Sequence, residues 1–265
     1  MNQIFNSKIK AILFDMDCVV IDSEKLYFQS EEKLLSKYGV KFSDSDWLYI
    51  KGCTEKQFYD LVYSKFDINI PRNKLINQGR EFLKQTFTEK LEYMIGFEDV
   101  YKILNERYKL ALVTSTGPEL VTHINKLLSI EKKFDLMINS THTQLHKPNP
   151  EHYLKAMEYL NLESYECIVI EDSVQGIKSG KAAGCFVIAL EGSIEKQYLK
   201  AADYIIEDFN ESYRFLKHHF NILRERSIFL YFFTSIFFFK FFKKIIFFYA
   251  LLLLFTYLFI RRIYF

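Results

Sequence analysis

The stretch AILFDMDCVVIDSE, residues 11–24, breaks an apolar run of four at Asp15 and Asp17. Two carboxylates one residue apart, at the end of a strand-like run, suit shared nucleophilic and acid–base work. Strand alternation would set both on one face, with Met16 turned away. One could then attack while the other moves a proton. Other reactive groups follow similar apolar runs. Thr114, Ser115 and Thr116 follow the run 110–113, and Gly117 and Pro118 then open a helix. Lys147 lies in HKPNPEHY, a short loop beyond Leu136–Ile138. Glu171 and Asp172 follow the run 167–170 and lead through SVQG into another helix.

This set fits phosphoryl transfer. A carboxylate can form an aspartyl-phosphate. Carboxylates from separate strand ends can hold one Mg²⁺, a hard cation that prefers oxygen ligands. A hydroxyl and a lysine can hold the remaining phosphoryl oxygens as charge spreads over them. All of this requires the groups to converge, and in open α/β sheets ligands bind beyond the carboxyl ends of the strands.

The intervening elements supply that convergence. Strand-like runs fall at Ala11–Phe14, 110–113, Leu136–Ile138, 167–170 and 185–190, with a weaker one at 203–206. Most are apolar throughout, as expected for parallel strands covered on both faces. Helical patterns lie between them at 100–108, Pro118–Leu128, 150–160 and 174–183, and Gly184 stands where the last should stop. The fold class is therefore α/β, a parallel sheet with right-handed crossovers. Positions 22–92 break the rhythm with helical patterns alone. Asp22 or Ser23 can cap the first helix and Gly39 can end it, and further helices are expected over Glu55–Lys65 and 72–89. An all-helical insert between the first two strands reads as a separate cap. The expected division is an α/β core of residues 1–20 and 93–218, a cap of 21–92, and a tail of 227–265.

The tail holds about half of the chain's 27 phenylalanines. Its longest apolar run, 245–260, is slightly short of the roughly 20 residues that span a bilayer. Lys243, Lys244, Arg261 and Arg262 bracket it. A membrane segment and read-through of A/T-rich sequence both fit this composition. The net charge is +2, and five bases with no acid lie from position 228 onward, so the rest is near −3. No basic stripe argues for nucleic acid. The four cysteines, Cys18, Cys53, Cys167 and Cys185, have no CxxC spacing, which favours reduced thiols over zinc or a dithiol. The short polar start carries no signal-peptide pattern. A cytoplasmic catalytic domain, with membrane association through the tail as an open option, is the expectation.

DMDCVVIDSE, VTST, HKPNP and EDSVQGIKSGKAAG, in this order and each after a strand, resemble the four motifs of the haloacid dehalogenase superfamily. With the helical insert, they resemble its branch of β-phosphoglucomutase and sugar-phosphate phosphatases, over about residues 8–217. The resemblance implies a Rossmann-like three-layer core under an inserted helical cap. It implies Asp15 as nucleophile and Asp17 as general acid and base. Thr114, Ser115 and Lys147 would bind phosphate. Mg²⁺ would be held by Asp15, the Asp17 carbonyl and Asp172, with Glu171 as a ligand or standing behind the ligands. The family usually has glycine where this chain has Cys18, and a side chain there would cost about 1 kcal/mol if φ is positive.

The cap should choose the substrate. The branch's mutases resemble one another in a histidine on the first cap helix and an arginine after a cap glycine. Here DSEKLYFQS offers Tyr27 or its neighbours rather than histidine, and KGCTEKQF offers Glu55 where the arginine would fall. Without that cationic grip a second phosphate is poorly held. Hydrolysis of a small phosphorylated metabolite, a sugar or polyol phosphate, is the expected activity, with Lys51, Thr54, Glu55 and Lys56 as candidate cap contacts. The alternatives are a β-phosphoglucomutase-type isomerase and a non-catalytic, membrane-tethered relative. Each residue also has a plain reading: Thr114 as a helix cap, Lys51 and Lys56 as solvated helix-end charges, Glu171 as an acceptor behind the metal. The histidines form no convincing ligand set, and Cys18 has no histidine partner for thiol chemistry.

Overall fold

The computed structural model describes residues 9–50, 55–192 and 194–211. Six parallel strands form one sheet: β1 (Ala11–Phe14), β2 (Lys109–Val113), β3 (Leu136–Ile138), β4 (Cys167–Glu171), β5 (Phe186–Leu190) and β6 (Tyr204–Ile206), in the order β3-β2-β1-β4-β5-β6. Every residue of β1 and β4 is buried. Apolar runs without alternation thus became the two central strands, covered on both faces. The chain moves outward from β1 to β2 and β3, then returns to β4 on the other side. The gap between β1 and β4 is therefore the topological switch point, where a parallel sheet opens a crevice.

Register decides what meets there. Phe14 pairs with Leu112 on one side and Ile170 on the other. Asp15 donates its N–H to the Ile170 carbonyl at 2.9 Å, and Thr114 donates its own to Ile138 at 2.9 Å. Asp15, Thr114 and Glu171 therefore end three adjacent strands at one level.

Among the described residues, four helices lie between β1 and β2 in the insert: α1 (Glu24–Ser36), α2 (Asp44–Ile50), α3 (Glu55–Lys65) and α4 (Arg72–Lys90). They bury an apolar cluster of their own, including Leu34, Leu35, Phe42, Phe58, Val62 and Leu75. The chain enters and leaves this region side by side: Asp22 N–H donates to Glu92 O at 3.1 Å, and Met94 N–H to Val20 O at 3.0 Å. Among the described residues, four further helices flank the sheet: α5 (Phe97–Leu104), α6 (Pro118–Leu128), α7 (Glu151–Leu160) and α8 (Val174–Ala182).

Some local expectations shift. Helix α2 was not expected, yet Ser43 N–H donates to Asp46 Oδ2 at 2.8 Å while Asp46 N–H reaches back to Ser43 Oγ at 3.4 Å. This reciprocal cap is encoded in the sequence as Ser-x-x-Asp. Helix α5 starts three residues before the expected 100, where Gly96 at φ 83° turns the chain into it, and it stops at Leu104. Ser23 does not cap α1 with its side chain; its hydroxyl goes to Asp17 instead, where a carboxylate makes the stronger acceptor. Gly184 stands after α8 as expected, at φ 83°. Among the described residues, no helix is long and apolar enough to cross a membrane. The tail 227–265 and Cys53 lie outside the described residues.

Candidate active site

The strand ends bring Asp15, Thr114, Lys147, Glu171 and Asp172 together, as the spacing required. Lys147 is the hub. Its Nζ donates to Asp15 Oδ1 at 2.5 Å and to Glu171 Oε1 at 2.6 Å. It also reaches Tyr153 OH at 3.1 Å and Val113 O at 3.2 Å. The loop after β3 places this lysine across the end of the sheet, and both its carboxylate partners are buried.

Glu171 is fully engaged. Tyr153 OH donates to its Oε1 at 2.9 Å. Its Oε2 accepts from Asp172 N–H at 3.1 Å, Ser173 N–H at 3.2 Å and Ser173 Oγ at 3.1 Å. With Lys147 that makes five donors, and a carboxylate offers about four lone-pair directions. Ser173 also caps α8, accepting from Gly176 N–H.

Asp17 faces elsewhere. Its Oδ1 accepts from Ser23 Oγ at 2.8 Å and its Oδ2 from Thr116 Oγ1 at 2.9 Å. Burial raises the pKa of the Asp17 carboxyl against the pull of those hydroxyls. A carboxyl inclined to hold a proton, yet well solvated by the protein when ionised, suits proton exchange. Strand alternation did not set its direction, since β1 ends at Phe14 and Asp17 lies in the turn beyond.

In that turn Cys18 adopts φ 57°, the left-handed conformation that made glycine the expected residue. Its thiol lies 3.9 Å from Ser23 Oγ, and burial, then the charge of Asp172, raise its pKa. A thiol kept protonated is a poor nucleophile.

Thr114 Oγ1 accepts from Thr116 N–H at 3.0 Å, so it closes the turn after β2. It does not cap α6, which Gly117 enters. Ser115 Oγ is buried and, in this structure, has no hydrogen-bond partner. An orphaned buried hydroxyl is a donor waiting for an acceptor.

The charges fit a hard divalent cation. One carboxylate oxygen from each of Asp15, Glu171 and Asp172 lies within 4.8 Å of the others. Asp15, Asp17, Glu171 and Asp172 share, among the described residues, the single ammonium of Lys147. Burial pushes the Asp15 carboxyl up to about 8, against Lys147, with Glu171 and Asp17 adding to the rise. Asp172 is raised well above the carboxylate range by burial and by the neighbouring charges of Glu171 and Asp15. Burial opposes the Lys147 charge, but the two carboxylates outweigh it and hold the ammonium protonated. The side chain of Asp17 is not in the cation-sized group.

The expected cap contacts fare unevenly. Arg80 clamps Glu55 with two bonds, Nε to Oε2 at 2.9 Å and a terminal nitrogen to Oε1 at 2.8 Å. Lys56 is exposed and pairs with Asp60 at 2.7 Å. Lys51 and Thr54 lie outside the described residues. Four neighbours of the site were not assigned from sequence. Ser23 and Thr116 were in quoted motifs, but a hydroxyl's partner is not a local property. Tyr153, six residues past Lys147, reads as a core aromatic, and Gly176 as part of a helix.

The haloacid dehalogenase-like hydrolase family model matches residues 12–190. A phosphorylated carbohydrates phosphatase of Thermotoga maritima is 30% identical over 177 residues, covering 66% of this chain and 82% of its own. A pyrophosphatase, PpaX, of Bacillus mycoides is 26% identical over 209 residues, 77% of this chain and 95% of its own. The crystal structure of a provisionally named β-phosphoglucomutase from Thermotoga maritima superposes with a TM-score of 0.68 at 28% identity, covering 79% of this chain and 99% of that one.

Proposed function

Because this chain belongs to the haloacid dehalogenase-like hydrolase family, we propose that it is a Mg²⁺-dependent phosphatase of small phosphomonoesters, sugar or polyol phosphates, working through an aspartyl-phosphate. That it is a phosphatase hydrolase follows from the family and its phosphatase-named relatives. The metal, the intermediate and the substrate class are the finer reading. The observation that carries them is Lys147, buried and bridging Asp15 to Glu171 beside Asp172.

Asp15 attacks phosphorus, and the bond to the leaving oxygen breaks as Asp17 protonates it. Asp17 then takes a proton from the water that hydrolyses the aspartyl-phosphate. Lys147, Thr114 and Ser115 hold the phosphoryl oxygens. Asp15, the Asp17 carbonyl and Asp172 would hold Mg²⁺, while Glu171, already saturated by protein donors, holds Lys147. When bound, the cation offsets repulsion between Asp15 and the phosphate and polarises phosphorus.

Residues 21–92 act as the cap that closes this site, on the core formed by 1–20 and 93–218. The first cap helix carries Tyr27 and its neighbours rather than the mutases' histidine, and Glu55 is committed to Arg80. Both favour hydrolysis over isomerisation of a bisphosphate, and the phosphorylated-carbohydrate name of a relative supports the substrate class.

The test is phosphate release from a panel of phosphomonoesters and pyrophosphate, with Mg²⁺ or EDTA, beside Asp15→Asn. Mg²⁺-dependent release that disappears in Asp15→Asn is expected. Hexose-phosphate interconversion without release would replace hydrolysis by isomerisation.

A further inference from the structure

Lys147 has three N–H donors and four acceptors within reach. Two are carboxylates, one is the Val113 carbonyl, and the fourth is the phenol of Tyr153. Tyr153 is fully buried, at 0% exposure. It sits on α7, six residues beyond the lysine. Its O–H donates to Glu171 Oε1 at 2.9 Å, so its oxygen presents a lone pair to the ammonium at 3.1 Å. Nζ, the phenol oxygen and Oε1 close a triangle, with the third side 2.6 Å. The ammonium also stands 4.9 Å from the centre of the tyrosine ring.

The partners of Lys147 differ in permanence. Asp15 is the proposed nucleophile, and once it carries a phosphoryl group its carboxylate no longer offers the same charge. Lys147 must then turn a donor to the new oxygens. Tyr153 and Glu171 take no part in bond making, so they are the contacts that persist. A lysine on a four-carbon stem has many rotamers to lose. A phenol on a rigid, buried ring gives it one fixed acceptor.

We propose that Tyr153 is a positioning residue: its buried hydroxyl sets the Lys147 ammonium between Asp15 and Glu171, where it grips the phosphoryl group. This rests on the phosphatase reading above. Phenylalanine would keep the ring packing and lose only the two hydrogen bonds. A purely structural role would therefore show in stability, and a positioning role in phosphate handling.

The experiment compares the full-length wild type and Tyr153→Phe by thermal melting, by kcat and KM on the best ester, and by calorimetric titration with inorganic phosphate. Expected are a melting temperature close to wild type, a phosphate Kd weakened by about 5-fold and a kcat lowered by about 10-fold. Unchanged kcat and phosphate affinity overturn the proposal, whatever the melting temperature does. A variant that fails to fold also overturns it, by placing the hydroxyl in folding. Wild type that binds phosphate but hydrolyses no ester overturns the phosphatase reading alone, and the two phosphate affinities then decide on Tyr153. Wild type that does neither overturns both.

Discussion

Gly176 lies against the carboxylate of Glu171 so closely that a Cβ built there would stand 1.7 Å from Oε1 and 1.9 Å from Cδ. The first turn of α8 and the end of β4 can meet this way only if one of them lacks a side chain. Gly176→Ala should therefore force Glu171 aside and move Lys147 with it. Helix propensity favours alanine by about 1 kcal/mol, so any loss comes from the clash. We expect activity to fall about 100-fold, with stability reduced by about 1–3 kcal/mol. Wild-type turnover in this variant would mean that Glu171 does not set the lysine.

Cys18 bears a side chain at φ 57°. Replacing it by glycine removes the left-handed strain, and Cys18→Gly should gain about 1 kcal/mol without losing activity. A melting temperature below wild type would show that burial of the thiol outweighs the strain.

Burial raises the Glu31 carboxyl from 4.5 to about 8. The sign follows from proton counts. Between those values the folded chain binds more protons than the unfolded one, so stability falls as pH rises. Glu31→Gln should flatten that slope and gain on the order of 1–3 kcal/mol at pH 8 relative to wild type. Chemical denaturation at pH 5, 6.5 and 8 checks this, and parallel curves for the two proteins would refute it.

Asp172 shares a buried, acid-rich site with Asp15 and Glu171. Without metal, Asp172→Asn should be at least as stable as wild type, because one repelling charge is gone. Mg²⁺ at about 100 times its Kd should stabilise wild type by about 2.7 kcal/mol, and the variant much less. Adding EDTA to wild type should reverse both the thermal shift and the activity. An equal Mg²⁺ response in both proteins would remove Asp172 from the ligand set.

What the sequence determined by itself is the sheet and its reactive edge. Runs such as AILF and CIVI are apolar without alternation, a local signal that needs no partner to be read. Each reactive motif follows such a run, so Asp15, Thr114, Lys147 and Asp172 could be placed at one end of the strands. Asp15 and Lys147 are 132 residues apart, yet parallel topology leaves them few other places to go. What only the tertiary structure decided is which atom serves which. Glu171 spends its lone pairs on protein donors, Ser23 gives its hydroxyl to Asp17 rather than to α1, and Glu55 closes on Arg80. The physical reason is that a hydrogen bond is chosen among competing acceptors a few tenths of an ångström apart. That competition exists only after β1, β2 and β4 have brought distant residues to one level. Tyr153 and Gly176 mark the same boundary: an aromatic and a glycine on helices are ordinary in sequence, and gain their roles only from the carboxylate that packing sets beside them.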